Sequence, residues 1–197
     1  MSTLPRYISH DYLEGSFDSL PLAGERTHAA LHFSYLIDST PIQGSCELAR
    51  SHLRASLSEF RSIFDLLNAD FKAKRLLTQW KRSRQKTALD AEPIVSVLRK
   101  VRDFAIHSSS VQGVPKTHTV LVAPTFHCEE TTRIFIEPLD RTDLELRREL
   151  SDFTDEALLA FNSLSMHSSA CDLIGYAIFR ASKPLAAFLK VAEPDGV

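Results

Sequence analysis

Five apolar residues, Leu53, Leu57, Phe60, Phe64 and Leu67, recur at three- and four-residue intervals within one stretch of this chain. That spacing places them on one face of an α-helix, and a face this apolar has to be buried against other elements. The chain is thereby committed to a core built largely by helix packing. Thr40-Pro41-Ile42-Gln43 supplies a start signal. Thr40 can cap, Pro41 suits the first helical position and Gln43 completes a capping box. Asn68 ends the apolar pattern, so the expected helix spans residues 41–67.

Other segments fit the same class. Residues 1–23 hold two prolines and a glycine among polar residues, and read as an irregular arm. Residues 25–38 form a first helix, with Ala30, Leu31, Tyr35 and Leu36 roughly on one side. Residues 71–89 carry Lys72, Lys74, Arg75, Lys81, Arg82, Arg84 and Lys86 without a single acid, and Leu76, Leu77 and Trp80 give this basic helix an apolar side. Asp90 to Pro93 opens a further helix that buries Ile94, Val97, Leu98, Val101 and Ala105 and ends near Ser108 to Ser110. Thr117–Ala123 and Thr132–Glu137 are rich in β-formers and read as a hairpin. Thr142 and Glu145 form a second capping box, and Leu146, Leu150, Phe153, Ala157, Phe161 and Leu164 predict a helix over 142–166. Two apolar helices, 170–182 and 184–192, close the core. The expected fold is mainly α: an antiparallel helical bundle with an inserted β-hairpin around residues 117–138, forming one domain over 24–197 behind the arm.

Composition narrows the function classes. A chain of 197 residues is long enough to bury a core without disulfide or metal staples. Its 44% apolar and 24% charged residues are ordinary for a globular protein, and the formal charge of -2 rules out a uniformly basic nucleic-acid coat. No apolar run approaches the ~20 residues of a membrane span. Residues 1–15 hold Asp11 and Glu14 and no apolar segment, so no secretory leader is expected. Cys46, Cys128 and Cys171 are widely spaced and form no CxxC pair, which fits a cytoplasmic protein whose thiols are small hydrophobes. No membrane partner, metal or cofactor is expected.

The segment that carries chemistry is Arg102-Asp103-Phe104-Ala105-Ile106-His107, late in the helix that opens near Asp90. At ~100° per residue, Asp103 and His107 lie about 40° apart and can touch, while Arg102 lies about 140° from His107. Arginine offers a permanently charged, planar donor fork suited to phosphoryl oxygens. Histidine titrates near neutrality and can give or take a proton. Set in an otherwise apolar helix, these three polar positions have to face a groove, a partner subunit or water.

An arginine followed at once by a polar residue, then a histidine five positions on, late in a bundle helix, resembles the motif of HEPN domains. That family's pattern is arginine, four to six residues, histidine, often with Asn, Asp or His just after the arginine. The layout over residues 28–166 is similar as well: a long amphipathic helix, an intervening helix, the motif helix, a strand pair and a further long helix. The resemblance implies a metal-independent RNA endonuclease of a toxin–antitoxin or defence setting. In such an enzyme the 2′-hydroxyl attacks the adjacent phosphate and leaves 2′,3′-cyclic phosphate and 5′-hydroxyl ends. It assigns catalysis to Arg102 and His107, with Asp103 orienting the histidine, in a composite site across a homodimer. Lys72, Lys74, Arg75, Lys81, Arg82, Arg84, Lys86 and Ser108 would hold RNA. A protein partner such as an antitoxin is also implied. One subgroup is regulated through a tyrosine two residues after the histidine; here that position is Ser109, which does not support such control.

Plainer readings stand beside these. Asp103 and His107 also suit an ordinary helical pair, and the basic run also suits a solvated helix face. Members of the family without catalysis serve as dimerisation, adaptor or nucleic-acid-binding modules. His28 and His32, or His118 with His127 and Cys128, have metal-ligand spacing but lack further ligands nearby. Asn162 and His167 repeat the arginine–histidine spacing without the charge that a phosphate requires. No Gly-rich phosphate loop and no nucleophile elbow is present.

Overall fold

A computed structural model describes residues 17–40, 46–107, 113–122, 127–142 and 149–193, with side chains for all of these except 103–107, 118–122, 127–130 and 149. Its elements run α1 (Pro21–Ser39), α2 (Glu47–Ala73), α3 (Leu77–Arg82), α4 (Arg84–Asp90), α5 (Pro93–His107), β1 (Gly113–Val122), β2 (His127–Ile136), α6 (Asp155–Ser165) and α7 (Ala170–Ala192). The described residues are thus mainly helical, with one antiparallel two-stranded sheet.

The helix read from the Leu53–Leu67 stripe is α2, but its bounds differ. Thr40 closes α1 instead of opening α2: its N–H and hydroxyl both donate to the Leu36 carbonyl. Pro41 and Gln43 lie outside the described residues. At the other end α2 runs past Asn68 to Ala73, because Asp70 and Phe71 are buried there.

Asp70 also explains why α1 begins earlier than its own sequence suggests. No side chain at Leu20 caps α1. The Asp70 carboxylate does so from α2, accepting from the N–H groups of Ala23 (2.9 Å) and Leu22 (3.2 Å). A carboxylate at a helix N-terminus satisfies orphan donors and meets the positive end of the dipole. The last residues read as the arm therefore join the fold, with Phe17 and Leu20 buried. Gly24 makes the preceding turn fit, since a Cβ there would stand 2.7 Å from the Phe17 carbonyl oxygen. The buried face of α1 is Ala23, Thr27, Ala30, Ser34 and Ile37, while Tyr35 is exposed. The small residues let α2 approach closely, and Ser56 donates to the Ala30 carbonyl at 2.8 Å.

The basic stretch 71–89 is not one helix. Arg75 has φ 61°, and Leu76 N–H donates to Phe71 O while Arg75 N–H donates to Lys72 O. That is a Schellman stop, built here on arginine instead of glycine. The chain turns because Trp80 packs back on Phe71 (4.8 Å between rings) and on Phe188 of α7 (5.0 Å). Ser83 then ends α3 and caps α4, accepting from Lys86 N–H.

The hairpin is longer than its sequence signal, and pairs Gly113 with Ile136 through Val122 with His127. Its base is anchored: Ile134, Phe135 and Ile136 are buried, and a Cβ at Gly113 would stand 2.4 Å from the Ile134 side chain. The continuous helix expected over 142–166 does not form. Residues 143–148 lie outside the described residues, Glu149–Asp152 is a 3-10 turn, and α6 starts only at Asp155 behind the Thr154 cap. Leu150 and Phe161 still reach one core, which is why the spacing imitated a single helix.

The two closing helices are one. α7 carries Pro184 inside it and touches α1, α2, α4, α5, α6 and β2. Leu173, Ile174, Ala177, Ile178 and Leu185 are fully buried, as expected of a helix enclosed by others. No helix among the described residues is long and apolar enough to cross a membrane.

Candidate functional site

α5 runs back along α2. Arg61 Nη1 donates to the Arg99 carbonyl at 3.5 Å, and the Arg99 guanidinium sits 4.8 Å from the Phe64 ring centre. Further on, Arg50 Nε donates to the carbonyl of Gly113, beyond the end of α5. The second half of α5 therefore lies beside the first half of α2. Ile94, Val97, Leu98 and Val101 form the buried stripe of α5. On a helix of ~100° per residue, position 102 borders that stripe, and positions 103 and 107 fall on the opposite side of the helix. Arg102 is half-buried. The side chains of Asp103 and His107 lie outside the described set, and Ser108 lies outside the described residues altogether.

Around this end of the α2–α5 pair stand several cations. Arg54 pairs with Glu47 at 2.8 Å, and its guanidinium holds the Glu47 carboxyl below the usual range. Lys100 reaches Asp152 at 3.4 Å.

The basic stretch 71–89 begins at the other end. Lys72 lies eleven residues beyond Arg61, about 16 Å at helical rise, and His107 lies eight residues beyond Arg99 in the opposite direction, about 12 Å. Lys72, at the start of that stretch, thus lies about 28 Å from His107 along the bundle. The stretch is spread along the bundle: Lys86 pairs with Asp90, which Arg99 approaches at 4.0 Å, one turn before Arg102. Two of the seven cations are spoken for: Lys74 pairs with Glu193 at 3.0 Å, and Lys86 pairs with Asp90. Lys72, Arg75, Lys81, Arg82 and Arg84 are exposed.

This basic end has a concave surface that the sequence did not reveal. α4 and α7 flank an open groove of about 510 Å³, lined by Arg84, Ala88, Glu92, Arg180, Lys183 and Ala187 among others. Glu92 is already engaged, accepting from Arg180 at 2.6 and 2.9 Å. That carboxylate raises the pKa of the Arg180 guanidinium above its ordinary value. Arg180 also lies 5.9 Å from the Tyr176 ring centre, and Lys183 lies 4.4 Å from that of Phe179. The available signal was Arg180 and Lys183, two cations three residues apart in the middle of a mainly apolar helix; only the packing of α7 on α4 shows that they line one groove with Arg84.

Two other polar groupings are structural. Arg133 of β2 lies 3.4 Å from Asp172 of α7 and 3.5 Å from Asp38 of α1, and Ser169 bridges the two carboxylates. This clasp joins sheet and helices. Cys171 lies beside it; burial, with Asp38 and Asp172 adding to it, pushes its thiol up to about 12. No group of three His, Cys, Asp or Glu able to hold a metal occurs among the described residues.

No protein-family model, curated protein or solved structure matches the chain.

Proposed function

We propose that the chain is a HEPN-like, metal-independent RNA endonuclease acting as a homodimer. The observation that carries this reading is the placement of Arg102 and His107 five positions apart in the second half of α5, a helix packed antiparallel on the long α2. The hairpin that follows the motif helix supports the reading, while the further long helix of the family's layout is here the eleven-residue α6. In this reading Arg102 holds the phosphate oxygens and stabilises the charge that builds on them. His107 moves the proton between the 2′-hydroxyl and the leaving 5′-oxygen, and Asp103 orients it. A single arginine and a single histidine make a sparse site, and two motif helices meeting across a two-fold axis double it.

The test is cleavage of end-labelled RNA in EDTA, with analysis of the ends. Wild type should give 2′,3′-cyclic phosphate and 5′-hydroxyl products. Arg102→Ala and His107→Ala should each lose about 10²- to 10⁴-fold in rate with unchanged circular dichroism. If both variants cleave like wild type, the assignment fails.

One observation favours a second reading, a non-catalytic nucleic-acid-binding or adaptor module of the same class. The exposed cations of the basic stretch, Lys72, Arg75, Lys81, Arg82 and Arg84, lie on other elements than the motif helix, and Lys72 stands about 28 Å from the histidine position. In that case the purified chain binds RNA without cutting it, and substitution at Arg102 or His107 changes nothing.

A further inference from the structure

We propose that the groove between α4 and α7 is a seat for the phosphate backbone of single-stranded RNA, with Arg84 and Lys183 as its phosphate-contacting residues. This site is separate from the motif of α5, and it stands whether or not that motif cleaves.

The charge arrangement carries the argument. Within residues 72–92 and 180–190 the only acids are Asp90 and Glu92. Asp90 is paired with Lys86 and approached by Arg99, and Glu92 is held by Arg180. Internal pairing therefore consumes the negative charge and leaves positive charge outward. Arg84 on one wall and Lys183 on the other make no ion pair among the described residues, and they face the same open space. Lys81 and Arg82 on α3 continue the positive surface beyond the groove, on the residues leading into α4. A small phosphorylated ligand would need one or two cations in an enclosed pocket. A row of exposed cations beside an open groove suits a chain of phosphates.

Two cations of the α7 wall are also held in place. Lys183 rests over Phe179, and Arg180 is fixed by Glu92 and by Tyr176, whose hydroxyl lies 3.4 Å from Nη1. Side chains already ordered lose less freedom when a ligand arrives.

The experiment is fluorescence anisotropy with a short 2′-O-methyl RNA, which lacks the attacking hydroxyl and so reports binding alone. It is run between about 50 and 200 mM salt, where counterion release makes log affinity fall linearly with log salt. The double variant Arg84→Ala/Lys183→Ala should lose about tenfold in affinity, and its salt slope should shrink by about 1.4, or 0.7 for each phosphate contact removed. The exchange Arg84→Lys/Lys183→Arg should keep the wild-type slope. Arg54→Ala, at the far end of α2, should also keep it. Binding of an uncleavable RNA reads the groove and cleavage of an end-labelled RNA reads the motif, so a failure of the groove and a failure of the nuclease reading give different results. The proposal is overturned if the folded double variant keeps the wild-type slope. It is equally overturned if wild type ignores the RNA and binds vesicles of anionic phospholipid instead.

Discussion

Asn162 holds Leu139 by both of that residue's backbone polar groups. The Asn162 Oδ1 accepts from the Leu139 N–H at 2.8 Å, and Nδ2 donates to the Leu139 carbonyl at 2.9 Å. The amide thus acts as one rung of a sheet ladder, fixing the chain that leaves β2 against α6. Leu139 is 5% exposed, so neither backbone group has ready access to water. Asn162→Ala should lower stability by about 1–3 kcal/mol in denaturant unfolding. Asn162→Asp should be at least as harmful at neutral pH, because a carboxylate cannot donate. Its deficit relative to wild type should narrow as acid restores a donor. A neutral Asn162→Ala would show that water replaces the clasp.

Asp70→Ala removes the cap of α1 from a distant helix. About 1–2 kcal/mol should be lost, and hydrogen exchange at Leu22 and Ala23 should quicken before that of the α2 amides. Unchanged protection at those two amides would show that the carboxylate is not their acceptor.

Arg133→Met leaves Asp38 and Asp172 facing one another with little solvent. Breaking a buried ion pair from one side costs about 3–5 kcal/mol, and partial exposure here reduces that to about 2–3. Adding Asp172→Asn should recover most of the loss in thermal melts, since it removes the uncompensated charge. Without recovery, the role of Arg133 is packing and not charge.

The Cys171 thiol gives a pH dependence with a definite sign. An unfolded chain releases this proton near pH 9.0, and the folded protein keeps it to about 12. Stability from this group is therefore complete below about pH 9 and drains away as pH rises toward 12. Unfolding measured from neutral to alkaline pH should show a steeper decline in wild type than in Cys171→Ala. At pH 8 Cys171 should also resist iodoacetamide in the folded protein. Prompt alkylation there would contradict its burial.

Pro184 lies within α7 and lacks the N–H that would donate to the Arg180 carbonyl. Pro184→Ala should raise stability by about 1–3 kcal/mol, less whatever proline contributes by restricting the unfolded chain. A fall in the melting temperature would show that the helix is shaped around the proline.

Periodicity in the sequence was a good guide where one element buried one face alone. The Leu53–Leu67 stripe became α2, and Ile94 to Val101 became the buried stripe of α5. It failed where the deciding partner was remote. The α1 start depends on Asp70, and the break at Arg75 depends on Trp80 finding Phe71 and Phe188. Over Leu150–Phe161 two short elements share one core and copy the spacing of one helix. Of the candidate site, the sequence displayed the residue types of the motif and the seven-cation run. It did not display how that run is spread along the bundle, which follows from the stop at Arg75, nor that Arg84 and Lys183 line one groove from two helices.

The carboxylate that completes the first turn of α1 stands 47 residues downstream of the amide it serves. As the chain emerges from the ribosome, that turn has no acceptor until nearly all of α2 has followed it, and closing so long a loop carries an entropic cost. The cap of α1 is thereby tied to the docking of α2, and the opening turn gains its acceptor only when the two helices meet.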